Sequence, residues 1–313
     1  MSNRFLLPFF IVGPTAGGKS ALALALAERI GGEIVNADAF QLYRGMDLLT
    51  AKPSVGDFMR VPHHLYGMVP LTEACDAQMY REMALPVIAD ILARGRVPIV
   101  VGGSGLYIKS LSHGLAPLPP PDPEIRAKIT LMSAEEARDR LLTLDPQAGE
   151  NVSLANPRYV SRALEICLLT GRPQSELRRT FGQTEPAGCG VVLEWDRAAL
   201  YERINRRVHD MLVAGLLDEV AGLTELGVTA GKAIGLREMQ AHLRGDMSLP
   251  EAIDAMQQAT RRYAKRQMTW FRRETWLQTI CLDSQTTADS CLSQLLSQFP
   301  CLLSPSSSPS LST

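Results

Sequence analysis

Eight residues near the start, Gly13-Pro14-Thr15-Ala16-Gly17-Gly18-Lys19-Ser20, constrain the chain most, because they match the phosphate-loop pattern GxxxxGK(S/T). That pattern is informative only between a strand and a helix, and the flanking residues predict both. Phe9-Phe10-Ile11-Val12 is an unbroken apolar run, as expected of a strand buried on both faces of a parallel sheet. Lys19 to Ile30 is built from strong helix formers and stops at Gly31-Gly32. In such a loop, glycines let main-chain N–H groups converge on phosphate oxygens and the helix N-terminus adds positive potential. Lys19 supplies a mobile charge, and the Ser20 hydroxyl can ligate Mg²⁺. The loop predicts a bound di- or triphosphate without specifying ATP.

The next elements extend the same alternation. Ile34-Val35 runs into Asn36-Ala37-Asp38, which places Asp38 at the carboxyl end of a second strand, where α/β sheets keep their chemistry. A helical stretch from Asp76 to Arg94, interrupted at Pro86, precedes a third apolar strand, Val97 to Val101, that ends in Gly102-Gly103-Ser104-Gly105. Where a nucleotide hydrolase would usually offer an acid, a hydroxyl stands. Strand, helix, strand, helix, strand predicts βαβ units in an α/β fold. The proline-rich stretch Leu115 to Glu124 is stiff and extended and reads as a boundary. Beyond it, helical patterns run from Asn156-Pro157 to Leu169, from Leu200 to Leu226 and from Pro250 to Trp276, with a short strand at Val191 to Trp195. Ser304 to Thr313 has almost nothing to bury and is expected to be a disordered tail.

With 46% hydrophobic and 21% charged residues in 313, the chain is of globular composition, and bulk disorder is excluded. Its net charge of -1 means that any RNA-binding surface has to come from local clustering of basic residues. Three clusters exist. Arg203, Arg206 and Arg207 share a helix face, Arg158 and Arg162 stand four apart, and residues 261 to 273 hold six cations interleaved with Tyr263, Trp270 and Phe271. The arginine trio alone reads first as a solvated face, and residues 261 to 273 alone read as well that way; together with a phosphate loop the clusters point to RNA. The six cysteines are widely spaced, with no CxxC pair, and read as reduced thiols. Asn3-Arg4 followed by Phe5 to Val12 resembles the start of a signal peptide, but the glycine loop and helix that follow argue against export. No segment approaches the roughly 20 apolar residues that span a bilayer. The expectation is a cytoplasmic protein without a membrane partner.

In order, GPTAGGKS, DAFQLYRGMDLLTAKP, PHHL at 62–65, VGGSGLY, NPRYVSRALEI, the helix LYERINRRVHDMLVAGLLDEV, KAIGLRE at 232–238 and RRYAKRQMTWFRR resemble the tRNA dimethylallyltransferases, from Phe10 to about Arg273. The resemblance implies a P-loop NTPase/kinase-like parallel sheet flanked by helices, with an inserted, mainly helical domain. The expected division is a core of residues 1–114 and 191–280, an insertion at 115–190, and a C-terminal segment at 281–313. It also implies transfer of a dimethylallyl group from dimethylallyl diphosphate to the exocyclic amine of the adenine immediately 3′ of the anticodon, with Mg²⁺ and without ATP. The tRNA anticodon stem-loop is the implied partner and the expected assembly is a monomer.

The resemblance also assigns residues. Asp38 matches the family's general base, Arg207 a phosphate-contacting arginine, and Ser104 a threonine near the scissile carbon–oxygen bond. Gly13 to Ser20 is reused for the diphosphate. Gln41 matches the residue that reads the flipped adenine, and Ala39 and Phe40 lie in the same tRNA-contacting segment. Further tRNA contacts are implied for Arg126, for Arg158, Tyr159, Val160, Ser161 and Arg162, and for Lys232, Ala233, Ile234, Gly235, Leu236 and Arg237. The last such segment comprises Lys265, Arg266, Gln267, Met268, Thr269, Trp270, Phe271 and Arg272. The chain departs from the family at Gly17 and Ala39, where Ser is commoner, at Leu49, where Gly is commoner, and at Leu236-Arg237, where Tyr-Lys is commoner. An ATP-dependent kinase and a non-catalytic RNA-binding protein are the competing readings; the first predicts phosphate transfer from ATP, and the second predicts loss of Lys19 or Asp38, which are both present.

Overall fold

The fold, taken from a computed structural model that describes residues 7–116, 118–179 and 185–303, is built on six strands. They are β1 (Phe9–Val12), β2 (Glu33–Asn36), β3 (His63–His64), β4 (Pro98–Gly102), β5 (Cys189–Trp195) and β6 (Leu277–Leu282). They pair in the order β3-β2-β4-β1-β5-β6, and every pairing is parallel. Parallel neighbours require crossovers, and helices supply them, so both faces of the sheet are covered and the strands read as continuous apolar runs. All four residues of β1 are fully buried. The chain divides into two compact units, one of residues 1–112 and 186–313 and one of His113–Glu185.

In the first unit, α1 (Lys19–Ile30) packs its Leu22, Leu26 and Ala27 on one sheet face, and Gly31, in the left-handed conformation, ends it. The short helix α2 (Val55–Arg60) follows β2. Helix α3 (Ala77–Ala93) is capped by Asp76 and runs unbroken through Pro86, where an interruption was expected. Pro86 is exposed, so water can take the carbonyl that it leaves without an N–H partner. Next comes α4 (Gly105–Ser112), whose Tyr107 stacks on Tyr80 of α3 at 4.1 Å between ring centroids.

The second unit contains α5 (Pro123–Thr130), α6 (Ala134–Leu144), α7 (Ala148–Asn151), α8 (Pro157–Thr170) and α9 (Gln174–Arg179) around a core of its own that includes Leu141, Val160 and Leu164. Glu165 of α8 is almost fully buried and accepts from Arg126 at the surface and from half-buried Arg162, so those two cations pair with a carboxylate inside this unit.

The chain returns to the sheet earlier than expected, since β5 starts at Cys189 and an insertion edge at 190 would cut it. The single helix expected from Leu200 to Leu226 is two, α10 (Arg197–Val213) and α11 (Leu216–Gly222), separated where Gly215 takes φ 100°. Then follow α12 (Leu236–Leu243), α13 (Leu249–Phe271) and, after β6, α14 (Ala288–Gln298). Helix α13 stops at Phe271, short of Trp276, because the chain turns there to start β6. Cys291 and Leu295 of α14 join Leu22 and Leu26 of α1 in one core cluster, so the C-terminal segment belongs to the sheet layer and a boundary at 281 would split β6. The Ser-rich tail from 304 lies outside the described residues.

Candidate active site

The loops after β1, β2 and β4 leave the sheet at the same carboxyl edge, next to the point where the strand order reverses direction, the usual position of a ligand crevice in such sheets. The first is the phosphate loop. No side chain caps α1, so the N–H groups of its first turn have no partner from the cap residue, an arrangement suited to an anion. The loop's carbonyls, by contrast, are held. Lys19 Nζ donates to Pro14 O at 2.7 Å, Arg203 Nε to Ala16 O at 2.8 Å and Trp195 Nε1 to Gly17 O at 2.9 Å. Arg203 also lies over the Trp195 ring at 4.3 Å. Ala16 sits at φ 60°, an uncommon conformation for a residue with a Cβ, and the three held carbonyls bracket it.

Asp38 is set in place by Asn36, which is fully buried. The Asn36 side chain accepts from Asp38 N–H at 2.8 Å and donates to Leu65 O at 2.9 Å, while Asp38 Oδ1 accepts from Phe40 N–H at 3.0 Å. Ser104 Oγ accepts from Ala39 N–H at 2.9 Å, which joins the loop after β4 to the one after β2. Arg207, half-buried, donates to Thr50 O at 3.2 Å. Removal from water pulls the Lys19 ammonium down to about 8; the Asp38 carboxylate opposes this and the Arg207 guanidinium adds to it. Arg207 is likewise lowered by burial, against the pull of Asp38. Acid, lysine and arginine thus feel one another electrostatically.

A cleft open at its mouth brings Asp38 and Arg207 together with the phosphate-loop residue Thr15. Thr15, Asp38, Arg207 and Tyr263 give it polar sides, and Leu49, Ile204, Val208, Met211, Ile234 and Met256 give it an apolar one. Burial raises the Tyr263 phenol well above its usual range, so it stays a neutral donor; it interacts with the side chains of Ser104 and Gln267. Glu219 of α11 accepts from the N–H groups of Asp47, Leu48 and Leu49 at 2.7–2.8 Å and so clamps the wall that carries Leu49. Glu219 lies in the segment LYERINRRVHDMLVAGLLDEV, but only the fold exposes that role.

Other candidates are arranged differently from their sequence-based roles. Gln41 Nε2 donates to Thr50 O and Ala51 O, committing that amine to the loop beside Arg207. Val160, Ala233, Leu236, Gln267, Met268 and Phe271 are buried, so these side chains pack the interior. The reason is helical periodicity: Ala264, Gln267, Met268 and Phe271 form the inward stripe of α13, while Arg262, Lys265, Arg266, Thr269, Trp270, Arg272 and Arg273 face outward. Tyr159, Arg158, Lys232 and Arg237 are exposed and Ser161 is half-buried.

The family model described as "IPP transferase" matches residues 41–274. The chain belongs to that family. Among its relatives is a tRNA dimethylallyltransferase of Geobacter metallireducens, 47% identical over 85% of this chain and 89% of the relative. Another, from Maricaulis maris, is 44% identical over 93% and 98%. Two of the similar solved structures illustrate the match. One is a full-length tRNA isopentenylpyrophosphate transferase from Bacillus halodurans, with a TM-score of 0.69 and 34% identity over 95% of this chain and 96% of that one. The other is a eukaryotic dimethylallyltransferase acting on tRNA, with a TM-score of 0.80 and 26% identity over 92% and 76%. The fold of this IPP transferase is accordingly a P-loop-like parallel sheet flanked by helices. Among the described residues no helix is long and apolar enough to cross a membrane.

Proposed function

We propose that this chain transfers a dimethylallyl group from dimethylallyl diphosphate to the exocyclic amine of the adenine immediately 3′ of a tRNA anticodon and releases diphosphate. The observation that carries this reading is the placement of Asp38, a carboxylate, in the same cleft as Arg207 and the phosphate-loop residue Thr15. A base and an anion cradle side by side suit a substitution in which a nucleophile loses a proton while a diphosphate departs. The adenine amine is a weak nucleophile because its lone pair is delocalised. As its nitrogen bonds to the allylic carbon, the carbon–oxygen bond to diphosphate breaks, and Asp38 takes the proton from the amine. Lys19, Arg207 and the free N–H groups at the start of α1 meet the charge that accumulates on the leaving diphosphate.

Ser104 Oγ and the neutral Tyr263 hydroxyl stand beside Asp38, where they can hold the bridging oxygen and the base in line. The apolar wall, with Leu49, Val208, Met211 and Met256, suits a five-carbon allyl chain and excludes water that would otherwise capture it. The adenine has to leave its stack to reach Asp38, so the RNA is engaged at an unpaired loop. The outward cations of α13, together with Arg158, Lys232 and Arg237, are the proposed contacts with tRNA phosphates.

Among the described residues no three His, Cys, Asp or Glu side chains form a metal-binding group. What is present is Ser20, exposed on the first turn of α1, which fits an Mg²⁺ ion that takes its other ligands from diphosphate and water. Bound there, Mg²⁺ would supply further neutralisation of the diphosphate charge. The test is incubation with Mg²⁺, dimethylallyl diphosphate and unmodified tRNA, followed by digestion and mass measurement of the nucleosides. An adenosine heavier by one dimethylallyl group is expected; phosphorylation from ATP without prenyl transfer would overturn the reading in favour of a kinase.

A further inference from the structure

Gln267 is a polar residue in the apolar stripe of α13, flanked by Ala264, Met268 and Phe271, and only 4% exposed. Burial of an amide is costly unless both of its ends are bonded, and here both are. Oε1 accepts from Thr15 N–H at 2.8 Å and Nε2 donates to Gly103 O at 3.0 Å. One side chain therefore bridges the phosphate loop and the loop after β4. Gly103 is shaped around it, since a Cβ at that position would overlap Nε2, and Gly105 likewise leaves room for Trp270 one turn further on. Gly103 and Gly105 thus let α13 lie directly on the loop.

The bridge reaches the reacting groups through single contacts. Gly103 precedes Ser104, whose Oγ takes the N–H of Ala39 beside Asp38, and Tyr263, one turn before Gln267, interacts with both Ser104 and Gln267. Thr15 lies between the Pro14 carbonyl that holds Lys19 and the strained Ala16. Because Thr15 N–H is spent on Gln267, it anchors the loop. Building on the transferase reading above, we propose that Gln267 is a positioning residue, which sets the spacing between the diphosphate loop and the loop that carries Ser104, and that it is not a tRNA contact.

The test uses the full chain and measures two affinities separately, that for inorganic diphosphate with Mg²⁺ by calorimetry and that for tRNA by filter binding, alongside transfer kinetics. Gln267→Met keeps the length and loses both hydrogen bonds. It is expected to weaken diphosphate binding and lower kcat by about tenfold each, with the tRNA Kd within about twofold of wild type. Hydrogen exchange should rise over residues 13–18 and 102–105 and not elsewhere. Gln267→Glu keeps the Thr15 acceptor and regains a donor for Gly103 when protonated. Its deficit in diphosphate affinity relative to wild type should shrink as the pH is lowered, so a failure of the Met variant to fold leaves the idea testable.

Weakened tRNA binding with intact diphosphate binding would overturn the proposal and return Gln267 to the RNA interface. Unchanged values of both, or a Glu-variant deficit that ignores pH, would overturn it too. Diphosphate binding does not depend on the transfer reaction, so a wild-type protein that fails to prenylate tRNA would sink the proposed function while the Gln267 measurement still stands.

Discussion

Lys19, Arg203 and Arg207, around the phosphate loop, each donate to a main-chain carbonyl, whereas Arg262 and Lys265 on the outer face of α13, and Arg273 just past its end, make no ion pair or side-chain hydrogen bond among the described residues. Both sets are cationic and both serve phosphates in the proposed reaction, yet the first is anchored and the second is loose. An anchored cation costs no reordering when charge builds on a leaving group, which suits catalysis. Loose, hydrated cations exchange their counterions for RNA phosphates, which gives affinity that salt erodes. The contrast also separates the two faces of α13, because the helix that presents the loose set outward presses Gln267 and Tyr263 onto the loops of the anchored set.

The largest expected effect tests the base that the anchored set surrounds. Asp38→Ala should slow single-turnover transfer by roughly a thousandfold while diphosphate binding persists, because a base acts in the transition state. A normal rate would remove Asp38 from the chemistry. Next, the double change Lys265→Ala with Arg266→Ala should weaken tRNA binding by roughly tenfold at low salt and reduce the slope of log affinity against log salt by about two. Diphosphate affinity should not move; if it does, the two sets are not separable.

A smaller effect concerns protonation. Lys19 is held near 8, so it is an ammonium below that pH and loses its charge above it. Diphosphate affinity should fall, by up to about tenfold per pH unit, as the pH rises past 8, and Lys19→Arg should flatten that decline because a guanidinium stays charged. A wild-type profile that is level from 7 to 9.5 would show that Lys19 keeps its proton.

The smallest effect lies at the opposite end of β2 from Asp38. Glu33 is buried and paired with Arg94, Arg96 and His64. The hydrogen bonds from Arg94, opposed by burial, head the causes that hold its carboxyl at about 2. Its folded value is depressed, so the stabilisation is complete above its ordinary value near 4.5 and is lost as the pH falls from there toward 2. Glu33→Gln should cost about 1 kcal/mol in neutral denaturant melts, given that its arginine partners are half exposed, and should blunt acid unfolding without altering kcat. Changed kinetics would mean that the cleft senses the far edge of the sheet.

Much of this was legible in the residues because it rests on local chemistry. The strand Phe9–Val12, the helix Lys19–Ile30 and its Gly31 cap follow from apolar continuity, helix propensity and glycine's access to positive φ, and the structure has them at those residues. Asp38 at a strand end was readable for the same reason. Strands β3 and β6 were not. Two residues, His63-His64, carry no periodicity, and Leu277–Leu282 lies on a sheet edge, without strict alternation, beside a helical pattern that ran past its true end. The break at Gly215 and the continuity through Pro86 show the same limit: whether a helix bends or continues depends on what its neighbours and water can satisfy.

By itself the sequence determined the phosphate loop, the parallel α/β core, the acid at the end of β2 and the ordered motifs shared with the IPP transferase family, since these depend on residue type and near-neighbour spacing. Only the tertiary structure decided which face of α13 is buried against the loops. It gave Glu219 the loop of Leu49 and gave Gln267 the amide of Thr15, 252 positions away. Such pairings depend on distances in space between segments far apart along the chain, and no local pattern encodes them.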